Sequence, residues 1–206
     1  MGSGPAYRIE TQRLVIRCFD PADAPLLTAA VESSIEHLRP WLPWAHSEPV
    51  SAQDRVNTLR SFRARFDLGQ DFFYGIFNRD ESELLGGTGL HTRRGPQIRE
   101  IGYWIRAGAT RRGFATESAA ALVRVAFEIE RVRRVEIRCD PTNVASSAVP
   151  HKLGFAREGL LRQSEDFLGT GRDTELWSLV AEEYAAGAAK SVPLRACGAA
   201  GEILLA

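Results

Sequence analysis

The chain predicts an α+β fold around a mixed, mostly antiparallel sheet, and three observations carry that expectation. Residues 72–78 with 83–92, and 156–167 with 173–180, are two pairs of strand-like runs. Each pair is joined by a short polar or glycine-containing turn, so both read as antiparallel hairpins. Between them the strand-like run 100–105 leads into a helix-period segment, 115–130, and then a further strand over 135–139. That is the pattern of a single crossover between parallel strands.

The elements follow in order. Residues 13–17 form a first strand, with Leu14 and Ile16 on one face and Val15 and Arg17 on the other. Asp20 caps a helix over 21–33, with Pro21 at its first position. Pro40, Trp41, Pro43, Trp44 and Pro49 crowd residues 40–49 into an irregular loop. Ser51 opens a second helix whose Val56, Leu59, Phe62 and Phe66 share one face. The first hairpin turns at Arg79-Asp80-Glu81-Ser82, and Arg94-Gly95-Pro96 turns the chain into the strand that ends near Arg106. Ala119, Leu122, Val123, Ala126 and Phe127 give the crossover helix a stripe for packing on a sheet. Asn143 reads as the cap of a short helix that Gly154 terminates, and Gly169-Thr170-Gly171 separates the last two strands. Residues 7–184 make one domain, and the Ala/Gly-rich residues 187–206 are expected to be a flexible or loosely docked tail.

Composition narrows the function classes. A chain of 206 residues, 44% hydrophobic and 25% charged, suits one domain with a sizeable core. Its formal net charge is zero, so neither nucleic acid nor an anionic membrane is expected as a partner. Arg131, Arg133 and Arg134 make a local basic cluster that reads as a solvated helix end. Cys18, Cys139 and Cys197 are odd in number and widely spaced, without metal-ligand spacing; neither a disulfide framework nor a metal is expected. There is no signal-peptide pattern and no membrane-length apolar run, which with the cysteines points to the cytoplasm.

The most informative stretch is Arg111-Arg112-Gly113-Phe114-Ala115-Thr116-Glu117, a small-residue turn opening straight into a helix. Such a turn leaves backbone N–H groups free, the helix dipole adds positive character, and two arginines add full charges, which suits a phosphate or pyrophosphate. Alone, it is equally an ordinary solvated turn. Downstream, Asn143, Ser146 and Ser147 precede Lys152-Leu153-Gly154-Phe155 in a second ordered segment.

The turn, its helix, the strand and the N-xx-S…K-L-G-F segment occur in an order that resembles the GCN5-related N-acetyltransferases (GNAT). Within them the chain resembles the branch that acetylates ribosomal-protein N-termini, through residues 10–17, His37-Leu38-Arg39-Pro40-Trp41-Leu42-Pro43-Trp44 and the strand 100–104. The resemblance spans residues 7–184 and implies the GNAT fold, with the turn at its centre and helices on both faces of the sheet. It implies acetyl transfer from acetyl-CoA to a primary amine by direct attack in a ternary complex. The turn matches at Gly113 and Ala115, but Thr110 stands where the family has Gln or Arg. The resemblance assigns cofactor binding to Trp104, Ile105, Arg106, Arg111, Arg112, Gly113, Phe114, Ala115, Thr116, Asn143 and Ser146. A backbone N–H within 104–106 would serve the oxyanion. Many members protonate the departing thiolate with a tyrosine; here that position is Pro150, and Ser146 takes the role. Glu165 aligns with the branch's base, with Glu100 as its rival. His37, Trp41, Trp44 and Glu100 fall at the acceptor mouth. The leading acceptor is a protein N-terminus beginning with Ser or Ala. A small amine (polyamine, aminoglycoside or amino-acid derivative) and a non-catalytic acyl-CoA-binding regulator stay open beside it. A two-fold homodimer is compatible with the resemblance, and composition neither requires nor forbids one.

Overall fold

A computed structural model describes residues 5–206 of the chain. Along strand β2 (Leu14–Cys18), Leu14, Ile16 and Cys18 join one apolar cluster and Val15 joins another. Period-two alternation therefore feeds two cores, and the sheet is covered on both faces. On the Val15 side lie helices α1 (Ala24–Glu32) and α3 (Ala52–Asp67), whose Leu27, Ala30, Val31 and Leu59 meet Phe77 and Leu84. Asp20 caps a 3-10 turn over Pro21–Asp23, so α1 starts one turn later than Pro21 suggests. Ser51 caps α3 by accepting the Asp54 N–H at 3.1 Å. A four-residue helix, α2 (Ile35–Leu38), and a 3-10 turn over Pro43–Ser47 carry the tryptophan-rich loop.

Strands β3 (Phe72–Asn78) and β4 (Leu84–His91) form the expected hairpin, and β5 (Ile98–Ile105) runs antiparallel to β4. The crossover helix α4 (Phe114–Arg124) widens into a π turn over Val125–Ile129 before β6 (Arg134–Cys139), the one strand parallel to its neighbour β5. Ala119, Leu122, Val123 and Ala126 are fully buried in the cluster that holds Leu14, Ile16 and Ile101. Burying a leucine such as Leu122 contributes roughly 2 kcal/mol. Helix α5 (Val144–Lys152) and the hairpin of β7 (Ala156–Phe167) and β8 (Thr170–Val180) follow. The sheet is mixed and mostly antiparallel, with helices on both faces, as expected.

The C-terminal residues differ from expectation. Beyond α6 (Ala181–Ala186), strands β9 (Arg195–Cys197) and β10 (Ile203–Leu205) extend the sheet through the short strand β1 (Arg8–Glu10). The order becomes β10-β9-β1-β2-β3-β4-β5-β6-β8-β7. Ala/Gly-rich composition suggested a flexible or loosely docked tail, but an open strand edge needs donors and acceptors rather than large side chains. The Tyr7 N–H reaches the Cys197 carbonyl at 2.8 Å, and Ala196 is fully buried.

Candidate active site

The site is made by the divergence of β5 and β6. Their register runs only from Ile98 opposite Arg134 to Ile101 opposite Ile137. Beyond it β5 continues through Tyr103, Trp104 and Ile105 while β6 leads to Asp140, and a gap opens between them. The glycines of β4 set the floor: a Cβ on Gly87 would lie 2.6 Å from the Trp104 indole nitrogen. Of the backbone donors expected within 104–106, Arg106 is engaged, giving its N–H to the Leu85 carbonyl at 2.9 Å. Ladder alternation turns the Ile105 N–H the opposite way, away from β4 and toward the gap.

At the turn Gly113 has φ +81°, a left-handed conformation that glycine adopts without strain, and Arg111 is also left-handed at +59°. The first bond of α4 runs from the Glu117 N–H to the Gly113 carbonyl, and no side chain caps the helix. Phe114, Ala115 and Thr116 therefore present free N–H groups to the solvent side of the turn. Arg111, Arg112 and Gly113 are exposed, while Phe114 is buried and stacked near the guanidinium groups of both Arg13 and Arg112. Thr110 turns inward to donate to the Ala107 carbonyl and offers no charge of its own.

Arg13 is the residue the sequence reading missed here. It donates to the Arg112 carbonyl at 2.9 Å and pairs with Glu117, whose other oxygen accepts from Thr11. The acid in the turn is thus paired, and the turn is tied to the start of β2. No signal local to residues 110–117 names this partner.

Across the gap, Asn143 spends its side-chain oxygen on the Ser146 N–H at 3.1 Å, capping α5. That places Ser146 in the first turn, where the Tyr103 phenol donates to its carbonyl at 3.0 Å and lies 3.2 Å from its hydroxyl. Burial pushes the Tyr103 phenol well above its ordinary value, with the Ser146 bond opposing. Beneath, Ser147 donates to Glu175 at 2.9 Å, and Trp177 and Arg157 donate to the same carboxylate. Burial raises the Glu175 carboxyl, yet these bonds hold it below the usual range.

The acceptor side is less concentrated than the sequence suggested. Trp44 packs edge-on against Trp104, with ring centroids 5.9 Å apart. Trp41 lines a cleft of about 550 Å³ with Pro40, Asp140, Thr142, Arg172 and Asp173. His37 is exposed on α2. Glu100 is buried among guanidiniums, at 3.1 Å from Arg94, 3.6 Å from Arg138 and 3.7 Å from Arg93. Both of its carboxylate oxygens are thus committed to an ion-pair cluster. Glu165 is exposed on β7, opposite Arg172, and its carboxylate makes no hydrogen bond or ion pair among the described residues. A bulge at Gln163, φ +49°, separates it from the regular part of the hairpin.

An open sheet splayed beside a helix whose first N–H groups are bare is the architecture of an acyl-CoA-dependent transferase. The model of the acetyltransferase (GNAT) domain matches residues 13–156. The chain is 30% identical over 173 residues to YoaA of Bacillus subtilis, described as an uncharacterized N-acetyltransferase, covering 84% of this chain and 96% of that one. It is 27% identical to the ribosomal protein uS5-alanine N-acetyltransferase of Escherichia coli, covering 89% of this chain and 95% of that one. Among solved structures, Mycobacterium smegmatis RimJ in complex with CoA-disulfide superposes with a TM-score of 0.78 at 25% identity, over 92% of this chain and 95% of that one. The chain belongs to the GNAT acetyltransferase family and is an N-acetyltransferase with acetyl-CoA as its acyl donor. No group of three or more His, Cys, Asp or Glu suited to a metal is present among the described residues. No helix among them is long and apolar enough to cross a membrane.

Proposed function

We propose that the acceptor is the α-amine of a protein N-terminus beginning with Ser or Ala, acetylated in the cytoplasm by direct attack within a ternary complex. The observation that carries this reading is the cleft at the mouth of the β5–β6 gap. Its Asp140 and Asp173 set two carboxylates against the single guanidinium of Arg172, leaving an acidic excess for a cationic terminus, and Trp41 supplies an apolar wall for the first side chains. The E. coli relative's own substrate, a ribosomal-protein alanine, supports the same class.

The pyrophosphate binds the N–H groups of 114–116 with Arg111 and Arg112, and the pantetheine arm lies in the gap. The amine nitrogen bonds to the acetyl carbonyl carbon, and the Ile105 N–H takes the developing oxyanion. As the C–S bond breaks, the thiolate takes the Ser146 proton, and the serine is reset through solvent by the proton that leaves the amine. The proton lost by the amine goes to Glu165 through a water molecule.

Acetyl-CoA-dependent thiol release across an acceptor panel tests this. Peptides with free Ser or Ala termini should turn over, and their blocked counterparts should not. Turnover confined to polyamines, aminoglycosides or amino-acid derivatives would overturn the acceptor assignment.

A further inference from the structure

Pro150 lies inside α5 and has no N–H, so the carbonyl four residues earlier, that of Ser146, has no helical donor. The Tyr103 phenol fills that place at 3.0 Å, reaching across the gap from β5. A phenol carries one proton and a carbonyl can only accept, so the proton is committed to the carbonyl. At the second contact, 3.2 Å away, the Ser146 hydroxyl is therefore the donor and the phenol oxygen the acceptor.

We infer that Tyr103 is a positioning residue for acetyl transfer, resting on the role of Ser146 proposed above. It does two things from one oxygen. It replaces the amide that Pro150 lacks, a contribution to stability that the melting temperature reads. It also gives the Ser146 hydroxyl a resting acceptor at the gap. A serine in the first turn of a helix otherwise turns to nearby backbone groups. The phenol's buried setting and its committed proton leave Ser146, not Tyr103, to serve the sulfur.

The test is steady-state kinetics, with melting temperatures, of Y103F, S146A, Y103F/S146A, P150A and Y103F/P150A. Y103F should lower kcat about tenfold while the KM for acetyl-CoA changes less than about threefold. Y103F/S146A should be no slower than S146A, because the tyrosine acts through the serine. P150A returns an amide to the carbonyl, so Y103F/P150A should regain the melting temperature lost in Y103F without regaining kcat. If Y103F does not fold, Y103F/P150A against P150A carries the same comparison. Full turnover in Y103F, or losses that multiply in Y103F/S146A, would overturn the inference and leave Ser146 in place. Wild-type turnover in S146A would remove the Ser146 assignment itself, and this inference with it.

Discussion

Arg172 donates to the carbonyl of Pro40 at 2.6 Å across 132 residues of sequence, joining the tip of the last hairpin to the tryptophan-rich loop. The same guanidinium stands 3.5 Å from Asp140 and over the Phe167 ring. Three walls of the cleft proposed for the acceptor thus meet at one side chain. Arg172→Ala should raise the KM for a peptide acceptor about tenfold, because loosened walls lose orientation. The KM for acetyl-CoA should stay within about twofold, since the turn at 110–117 is untouched. Matched changes in both constants would mean that Arg172 supports the whole fold instead.

Gly113→Asp strikes the other substrate. The position is left-handed, and a carboxylate there faces the anion that the helix start should bind. Acetyl-CoA affinity, measured by calorimetry, should fall more than about tenfold. The Cβ itself meets only Arg13 at 3.4 Å, so the melting temperature should drop by no more than a few degrees. Unchanged affinity would remove the turn from cofactor binding.

Glu165→Gln separates chemistry from structure. The side chain is exposed and bonded to nothing among the described residues, so stability should not move. If Glu165 takes the amine proton, kcat should fall about 100-fold. Full turnover would send the search for a base elsewhere in the cleft.

Glu158 is held at about 2 by hydrogen bonds from Arg134 and then Ser178. A carboxyl depressed in the folded state contributes stability that is complete above its ordinary value, 4.5, and lost as pH falls toward about 2. The melting-temperature gap between wild type and Glu158→Gln should be constant at neutral pH and narrow steadily below pH 4.5. The gap should be small, because the carboxylate is 40% exposed.

What was legible in the sequence was local. Ser51 and Asn143 declare their helices through cap chemistry, and the β3–β4 hairpin declares itself through one polar turn. Strand β1 offers only Arg-Ile-Glu, too short for a period. Residues 195–205 look unstructured because their strands are held by backbone pairing, which leaves little trace in side-chain type. At the site, Gly113 and Ser146 stood in recognisable segments. The contacts of Arg13 and Arg172 could not be read, since each acts on a carbonyl far away in sequence. Pro150 was the one hint of a distant contact: it announced an orphaned carbonyl without saying that Tyr103 would serve it.

The pairing of β9 onto β1 joins the two ends of the described chain. A ribosome delivers those ends at opposite times. Until residues 195–197 emerge, β1 offers newly made protein an unfilled edge, open to any stray strand. Residues 195–197 thus act as a seal on β1, and a chain halted short of them would leave that edge bare to its neighbours.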